Sequence, residues 1–201
     1  NYWENGKIKN LGHFKNGELD GRWESYYPNG NMNISGYYKN GLKEKEWIDY
    51  YSNGKGRELV TYKIVKKKSA VNKSTVLESV KHGKYEAYSS KDFKLTESGT
   101  YKNGKKHGQW IAFYPGGRIP AVTSEYKDGR LHGVVREYDL KNGKVLRSET
   151  NYKDGAKHGK MIVYDKRGKK IAEKLFENGS EVREIEQPPM RQKGSNPKGR
   201  R

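Results

Sequence analysis

The chain alternates short runs of aromatic and β-branched residues with polar, turn-forming clusters, and the same alternation returns along most of its length. Runs of this kind, bounded by Gly, Asn and Asp, predict strands. The bounding clusters hold Asn-Gly or Asp-Gly pairs on a repeating grid, beginning at Asn5, Asn16, Asn29, Asn40, Asn53, Asn103, Asp128, Asn142, Asp154 and Asn178. Both central residues of a type I′ turn need positive φ, which Asn, Asp and Gly tolerate, so these pairs predict tight hairpins. The clearest copy opens at Tyr101, turns at Asn103-Gly104, reaches Gly108, continues through Trp110-Ile111-Ala112-Phe113 and turns again after Pro115. An aromatic opens each copy: Phe14, Tyr38, Tyr62, Tyr101, Tyr126, Tyr152 and Phe176, at steps of 24, 24, 39, 25, 26 and 24 residues. A period in this range signals a repeat architecture. The long step predicts an insertion of roughly 15 residues between Lys63 and about Val80 that projects from the repeat as a loop or extra hairpin.

Position within the copy assigns the faces. Five residues after the internal Gly, or its stand-in Lys45, stand Tyr26, Tyr50, Tyr88, Phe113, Tyr138 and Tyr164; two residues after it stand Trp23, Trp47, Tyr85, Trp110, Val135 and Met161. The two positions are three apart, so they point to opposite sides of a strand. Each face is therefore expected to carry its own ladder of stacked large side chains.

Composition bears this out. Only 31% of the 201 residues are hydrophobic, 33% are charged and the mean hydropathy is −1.19, yet Tyr alone numbers 16. A one-layer meander touches only its sequence neighbours and needs ladders rather than a thick core. The expected fold is all-β: an elongated single-layer antiparallel hairpin meander of roughly 13 strands, forming a curved ribbon about 60 Å long. Residues 1–182 form the repeat domain and 183–201 a basic extended tail. Cysteine is absent, which excludes disulfides and thiolate metal sites, and no apolar run approaches the ~18 residues of a membrane span.

At Lys15-Asn16-Gly17-Glu18-Leu19-Asp20-Gly21-Arg22-Trp23-Glu24-Ser25-Tyr26-Tyr27-Pro28-Asn29-Gly30 the chain resembles the MORN-repeat superfamily, in the bacterial variant that runs Asn-Gly, three residues, Gly, any residue, Trp, then Tyr-Tyr and Asn-Gly. The copy at Tyr101 is similar. The resemblance spans about residues 2–182 apart from the insertion. It departs at Lys45, at Val135 and Met161, and where the third copy is opened. The resemblance implies an elongated antiparallel sheet that acts as a scaffold or interaction module, with phospholipid binding proposed for some members. Bacterial proteins of this kind are often antitoxins or cell-envelope proteins.

Four histidines, His82, His107, His132 and His158, precede the internal Gly. Consecutive copies lie about 9–10 Å apart, too far for neighbours to share a zinc ion whose ligands stand at ~2.1 Å, so a packing role beside a turn is expected and no cofactor or metal is. Acidic residues such as Glu24, Glu86 and Glu137 are scattered, and no phosphate loop or nucleophile elbow is present. The chain reads as a non-enzyme.

The formal net charge is +18. Five lysines against Glu78 give the insertion a net +4, and six basic residues against Glu184 and Glu186 give the tail the same. A field of this sign favours acidic protein or anionic lipid, with nucleic acid ranked behind them. The expected function is protein–protein interaction, as a scaffold or accessory subunit of a larger assembly. The expected contact residues are Tyr26, Tyr50, Tyr88, Phe113, Tyr138 and Tyr164 on one face, Lys66, Lys67 and Lys68 in the insertion, and Arg191, Lys193, Arg200 and Arg201 in a tail that a partner orders. The alternatives are an antitoxin-like neutraliser of a toxic protein and an electrostatic binder of anionic lipid or nucleic acid. The family context and an Asn in first place favour the cell envelope.

Overall fold

The computed structural model describes residues 1–71, 74–140 and 145–184. Its strands are β1 Asn10–Lys15, β2 Glu18–Tyr26, β3 Met32–Lys39, β4 Leu42–Tyr50, β5 Gly56–Lys68, β6 Thr75–Tyr88, β7 Leu95–Lys102, β8 Lys105–Phe113, β9 Pro120–Lys127, β10 Arg130–Leu131, β11 Gly133–Tyr138, β12 Leu146–Lys153, β13 Ala156–Tyr164, β14 Lys170–Glu177 and β15 Ser180–Glu184. All belong to one antiparallel sheet in strict meander order, with β10 pairing β9 just before β11 takes over. The all-β hairpin-repeat ribbon read from the sequence is the observed fold. Among the described residues it has 15 strands rather than roughly 13.

The turns come in two kinds, which corrects the expectation of one kind throughout. Asn16, Asn40, Asn103, Asp128, Asp154 and Asn178 have φ between 47° and 51°, each followed by a positive-φ Gly. These are the two-residue turns expected. At Asn5, Asn29 and Asn53 only the Gly is positive. There Gly30 N–H donates to Tyr27 O (2.8 Å) and Tyr27 N–H to Asn31 O (2.8 Å), a type I turn closed by a glycine bulge. The side chain chooses between them: Asn29 Oδ1 accepts from Asn31 N–H at 2.9 Å, as Asn5 and Asn53 do from Lys7 and Lys55, and Pro28 suits the second position of a type I turn. The pair at Asn142 lies outside the described residues.

The two kinds of turn line opposite edges of the ribbon, and each edge is stitched lengthwise. On the two-residue edge the turn glycine donates to the preceding copy: Gly41 to Leu19 O, Gly104 to Lys81 O, Gly129 to Lys106 O, Gly155 to Leu131 O and Gly179 to Lys157 O, all at 2.8–2.9 Å. On the other edge an aromatic reaches the next copy: Trp3 Nε1 to Tyr26 O (3.0 Å), Tyr27 Oη to Tyr50 O (2.8 Å), Tyr51 Oη to Tyr88 O (2.7 Å) and Tyr114 Oη to Tyr138 O (2.8 Å).

Within each copy the internal position adopts positive φ: Gly21, Gly83, Gly108, Gly133, Gly159 and also Lys45, at 63°. In β8 the pairing skips from Ser98↔Ile111 to Thr100↔His107, so Gly108 sits in a bulge. The bulge brings Trp110 across Gly99, where regular pairing would have placed Gly108.

The segment 63–80 continues β5 and β6 as one hairpin, paired from Lys63↔Val80 to Lys68↔Thr75. The neighbouring strands stop short of it: β4 pairs β5 only as far as Lys45↔Tyr62, and β6 pairs β7 only from Gly83↔Tyr101. This hairpin stands where a two-residue turn would otherwise close the copy.

The core is one layer deep. Among the described residues the buried apolar side chains are Trp47, Val60 and Trp110, and no side chain is less than 2% exposed.

Candidate functional site: two unlike faces

One face carries the aromatic ladder. Trp23, Tyr38, Trp47 and Tyr62 meet edge to face at 4.9–6.5 Å between ring centroids, and Tyr85, Tyr101, Trp110 and Tyr126 form a second series at 5.1–6.2 Å. The ladder thus interleaves tryptophans with the aromatics that open the copies. Lysines from one repeat position cap it: Lys43 Nζ lies 4.1 Å from the Trp47 ring and Lys106 Nζ 3.8 Å from Trp110. Lys81 spans Tyr85 and Tyr101 at 5.6 and 5.1 Å. Such contacts are worth roughly 0.5–2 kcal/mol each. Part of the positive charge is therefore structural.

The opposite face corrects the expectation of a second ring ladder. Tyr26, Tyr50, Tyr88, Phe113, Tyr138 and Tyr164 are half-buried, and no pair of rings among them is in stacking contact. Carboxylates hold their hydroxyls instead. Tyr26 Oη donates to Glu24 Oε2 at 2.7 Å, Tyr88 Oη to Glu86 Oε2 at 2.7 Å and Tyr164 Oη to Glu149 Oε2 at 3.1 Å. Each carboxylate is also paired with a base: Arg22 with Glu24, Lys84 with Glu86 at 3.0 Å, and Arg136 with Glu149 at 2.7 Å. Burial and the Glu86 contact push the Tyr88 phenol up to about 12. Tyr138 Oη meets Thr123 Oγ1 at 3.5 Å. Between Tyr50 and Tyr88 a hollow of about 340 Å³ opens, walled by Ile48, Leu59 and Phe93.

Three of the histidines, His82, His107 and His132, reach turn residues. His82 Nδ1 accepts from Asn103 N–H at 3.3 Å, and His132 Nδ1 lies 3.3 Å from Asp154 Oδ1. His107 Nδ1 lies 3.7 Å from Asp128 Oδ1. Each reaches the first turn residue of the next copy. Asp20, at the same repeat position, does so from the other sign of charge, with Lys39 and the Asn40 N–H holding its carboxyl below the usual range. Among the described residues no three His, Asp or Glu side chains converge on a point that would hold a metal ion.

Lys66, Lys67 and Lys68 are exposed at the outer end of β5, with Lys67 paired to Glu78 at 3.1 Å. The tail residues Arg191, Lys193, Arg200 and Arg201 lie outside the described residues. Sequence reasoning missed the lysine caps and the tyrosine staples. Tyr27 and Tyr51 recur at a 24-residue interval, and that recurrence was the available signal.

The fold and its two stitched edges define a hairpin-repeat sheet, a class of binding module. The model of the MORN repeat variant matches residues 1–16, 19–40 and 43–63, which supports membership of the MORN-repeat superfamily. The third match ends where the long hairpin leaves the sheet. No curated protein matches the chain. MORN repeats generally mediate protein or membrane-lipid interactions, and no helix among the described residues is long and apolar enough to cross a membrane.

Proposed function

We propose that this chain is a non-enzymatic protein-interaction module, an accessory or scaffold subunit of a larger assembly in the cell envelope, and that its tyrosine face meets the partner. One observation carries the reading: a row of tyrosines whose hydroxyls are held by Glu24, Glu86 and Glu149 stands on the face that the ladder leaves uncovered. Tyr presents a large amphipathic surface with few rotatable bonds, and holding it in advance lowers the entropy lost on binding. The hollow between Tyr50 and Tyr88 would seat an anchoring side chain. An antitoxin-like role uses the same face with a toxic enzyme as partner.

A second reading rests on the long hairpin, where exposed Lys66, Lys67 and Lys68 stand near Val71, which is 95% exposed. Such a combination suits an anionic lipid surface.

Affinity capture from the native source, with the wild-type chain and a Tyr50→Ala/Tyr88→Ala variant, tests the first reading. The expected result is a partner lost from the variant while the far-ultraviolet circular dichroism is unchanged. A partner retained equally by both overturns it. Binding that instead follows anionic vesicles and disappears at high salt supports the second reading.

A further inference from the structure

The repeat builds a seat for an indole and then, near its end, omits the indole. In the copies of Trp23, Trp47 and Trp110 the ring lies across a glycine of the preceding strand. Two of these rings also donate their Nε1–H to a carbonyl ten residues earlier, Trp47 to Tyr37 O at 3.2 Å and Trp110 to Thr100 O at 3.1 Å. The equivalent of Trp110 in β13 is Met161. Its strand neighbour is Thr150, the equivalent of Gly99, and the carbonyl at the corresponding place is that of Asn151.

The rest of the seat is retained. Tyr152 stands where Tyr101 stands. Lys157 stands where Lys106 does, its Nζ 3.9 Å from Met161 Sδ and 4.9 Å from the Phe176 ring. Ser148 and Thr150 are buried at 9% and 7% exposure, and Ser148 Oγ donates to Glu137 Oε2 at 3.1 Å. Over them lies a hollow of about 470 Å³, lined by Glu137, Thr150, Tyr152, Lys157, Met161 and Val163 among others. Thr150 raises the floor, so a ring cannot lie on the backbone as Trp110 does. The slender thioether leaves the side of the seat open, and Met adapts its shape to an aromatic neighbour.

We propose that this hollow receives one tryptophan side chain from a partner protein. Lys157 then lies against the ring face, the relation Lys43 and Lys106 have to the chain's own indoles, and Met161 packs at its edge. The seat is centred on the ladder-face residues Thr150 and Met161, with Tyr164 of the tyrosine row at its rim, and the Met161 methyl reports on it whatever becomes of the partner contact at Tyr50 and Tyr88.

The test uses the full chain carrying ¹³C-methyl methionine, titrated with N-acetyl-tryptophanamide. The expected result is a saturable ring-current shift of the Met161 methyl with the Met32 methyl unmoved. Lys157→Ala should raise the half-saturation concentration about threefold, in line with a cation–π contact near 0.5–1 kcal/mol. Thr150→Gly/Met161→Trp supplies the missing indole from within; saturation transfer to the probe, present with the wild-type chain, should be lost. A Met161 methyl that does not move overturns the proposal. So does an equal shift with N-acetyl-leucinamide, which would mark a merely apolar hollow, or saturation transfer that persists in the filled variant. Should that variant fail to fold, the Lys157→Ala titration decides: an unchanged half-saturation overturns the proposal.

Discussion

Trp110 lies so closely across Gly99 that a β-carbon at Gly99 would stand 2.3 Å from the indole Cδ2. Gly36 has the same relation to Trp47, and Gly12 to Trp23 at 2.5 Å. Where the indole is absent the glycine is absent too: Val60 faces Tyr85, Ser124 faces Val135 and Thr150 faces Met161 at the equivalent places. The repeat therefore has a two-residue unit, an indole over a glycine or a smaller side chain over a residue with a β-carbon, and the thin core is built from it.

Trp110→Ala should cost about 3–5 kcal/mol, since it removes a buried ring held by Tyr85, Tyr101, Tyr126 and Lys106. Gly99→Ala should cost about 1–3 kcal/mol by overpacking the same contact. Trp3→Ala should cost much less, because that ring joins one terminal turn to Tyr26 O. Urea melts of the three variants check the order; equal losses from Trp110 and Trp3 would contradict a ladder.

Lys45→Gly should stabilise the chain by about 1 kcal/mol. Lys45 is held at φ 63°, a region costly for a residue with a β-carbon. The change gives up a Lys45–Tyr37 ring contact at 5.1 Å, worth about 0.5 kcal/mol when exposed. A denaturation midpoint that falls would show that the ring contact outweighs the backbone strain.

Replacing residues 63–80 with Lys-Asn-Gly-Lys, the linker that joins Tyr101 to Lys106, should leave the sheet intact. The long hairpin has no neighbouring strand outside residues 62 and 83, and shortening it costs little in loop-closure entropy. The check is the sheet signal in circular dichroism together with a cooperative melt. Loss of folding would mean that the long hairpin holds β5 and β6 together.

Stability should fall at both ends of the pH range. Lys170 and then Lys160 hold the Glu173 carboxyl below its usual value, and that residue is 5% exposed. A carboxylate whose folded pKa is depressed stabilises the fold above its unfolded pKa, and this is lost as pH drops through the folded one. Melts below about pH 4.5 should weaken, and Glu173→Gln should blunt the acid slope. At the alkaline end the sign is opposite. Tyr88 is raised from 10 to about 12, and burial raises Tyr85 further, so their contribution is intact below pH 10 and is lost through pH 12. Absorbance at 295 nm should show these phenols ionising only as the sheet unfolds; early ionisation of every tyrosine would contradict the packing.

The strand-and-turn grid, the order of the sheet, the two faces and the extra length after Tyr62 follow from sequence alone. Each rests on a local cause: the period-two alternation of side chains, the φ preference of Asn-Gly and the spacing of copies. Lys45 as a stand-in for the internal glycine was legible for the same reason. Tertiary structure decided which aromatics stack. The opener Tyr38 stands two residues from Gly36, the strand partner of Trp23, so opener and indole share a face, and the bulge beside the internal glycine sets which residue stands opposite the glycine, a matter of register that composition does not reveal. It also decided that Tyr26, Tyr88 and Tyr164 turn to carboxylates rather than to one another. Glu24, Glu86 and Glu149 stand within hydrogen-bond reach of these hydroxyls, whereas the rings make no stacking contact with one another. The open seat at Met161 follows from the same physics: a missing ring becomes a hollow only once neighbouring strands hold the rest of its surroundings in place.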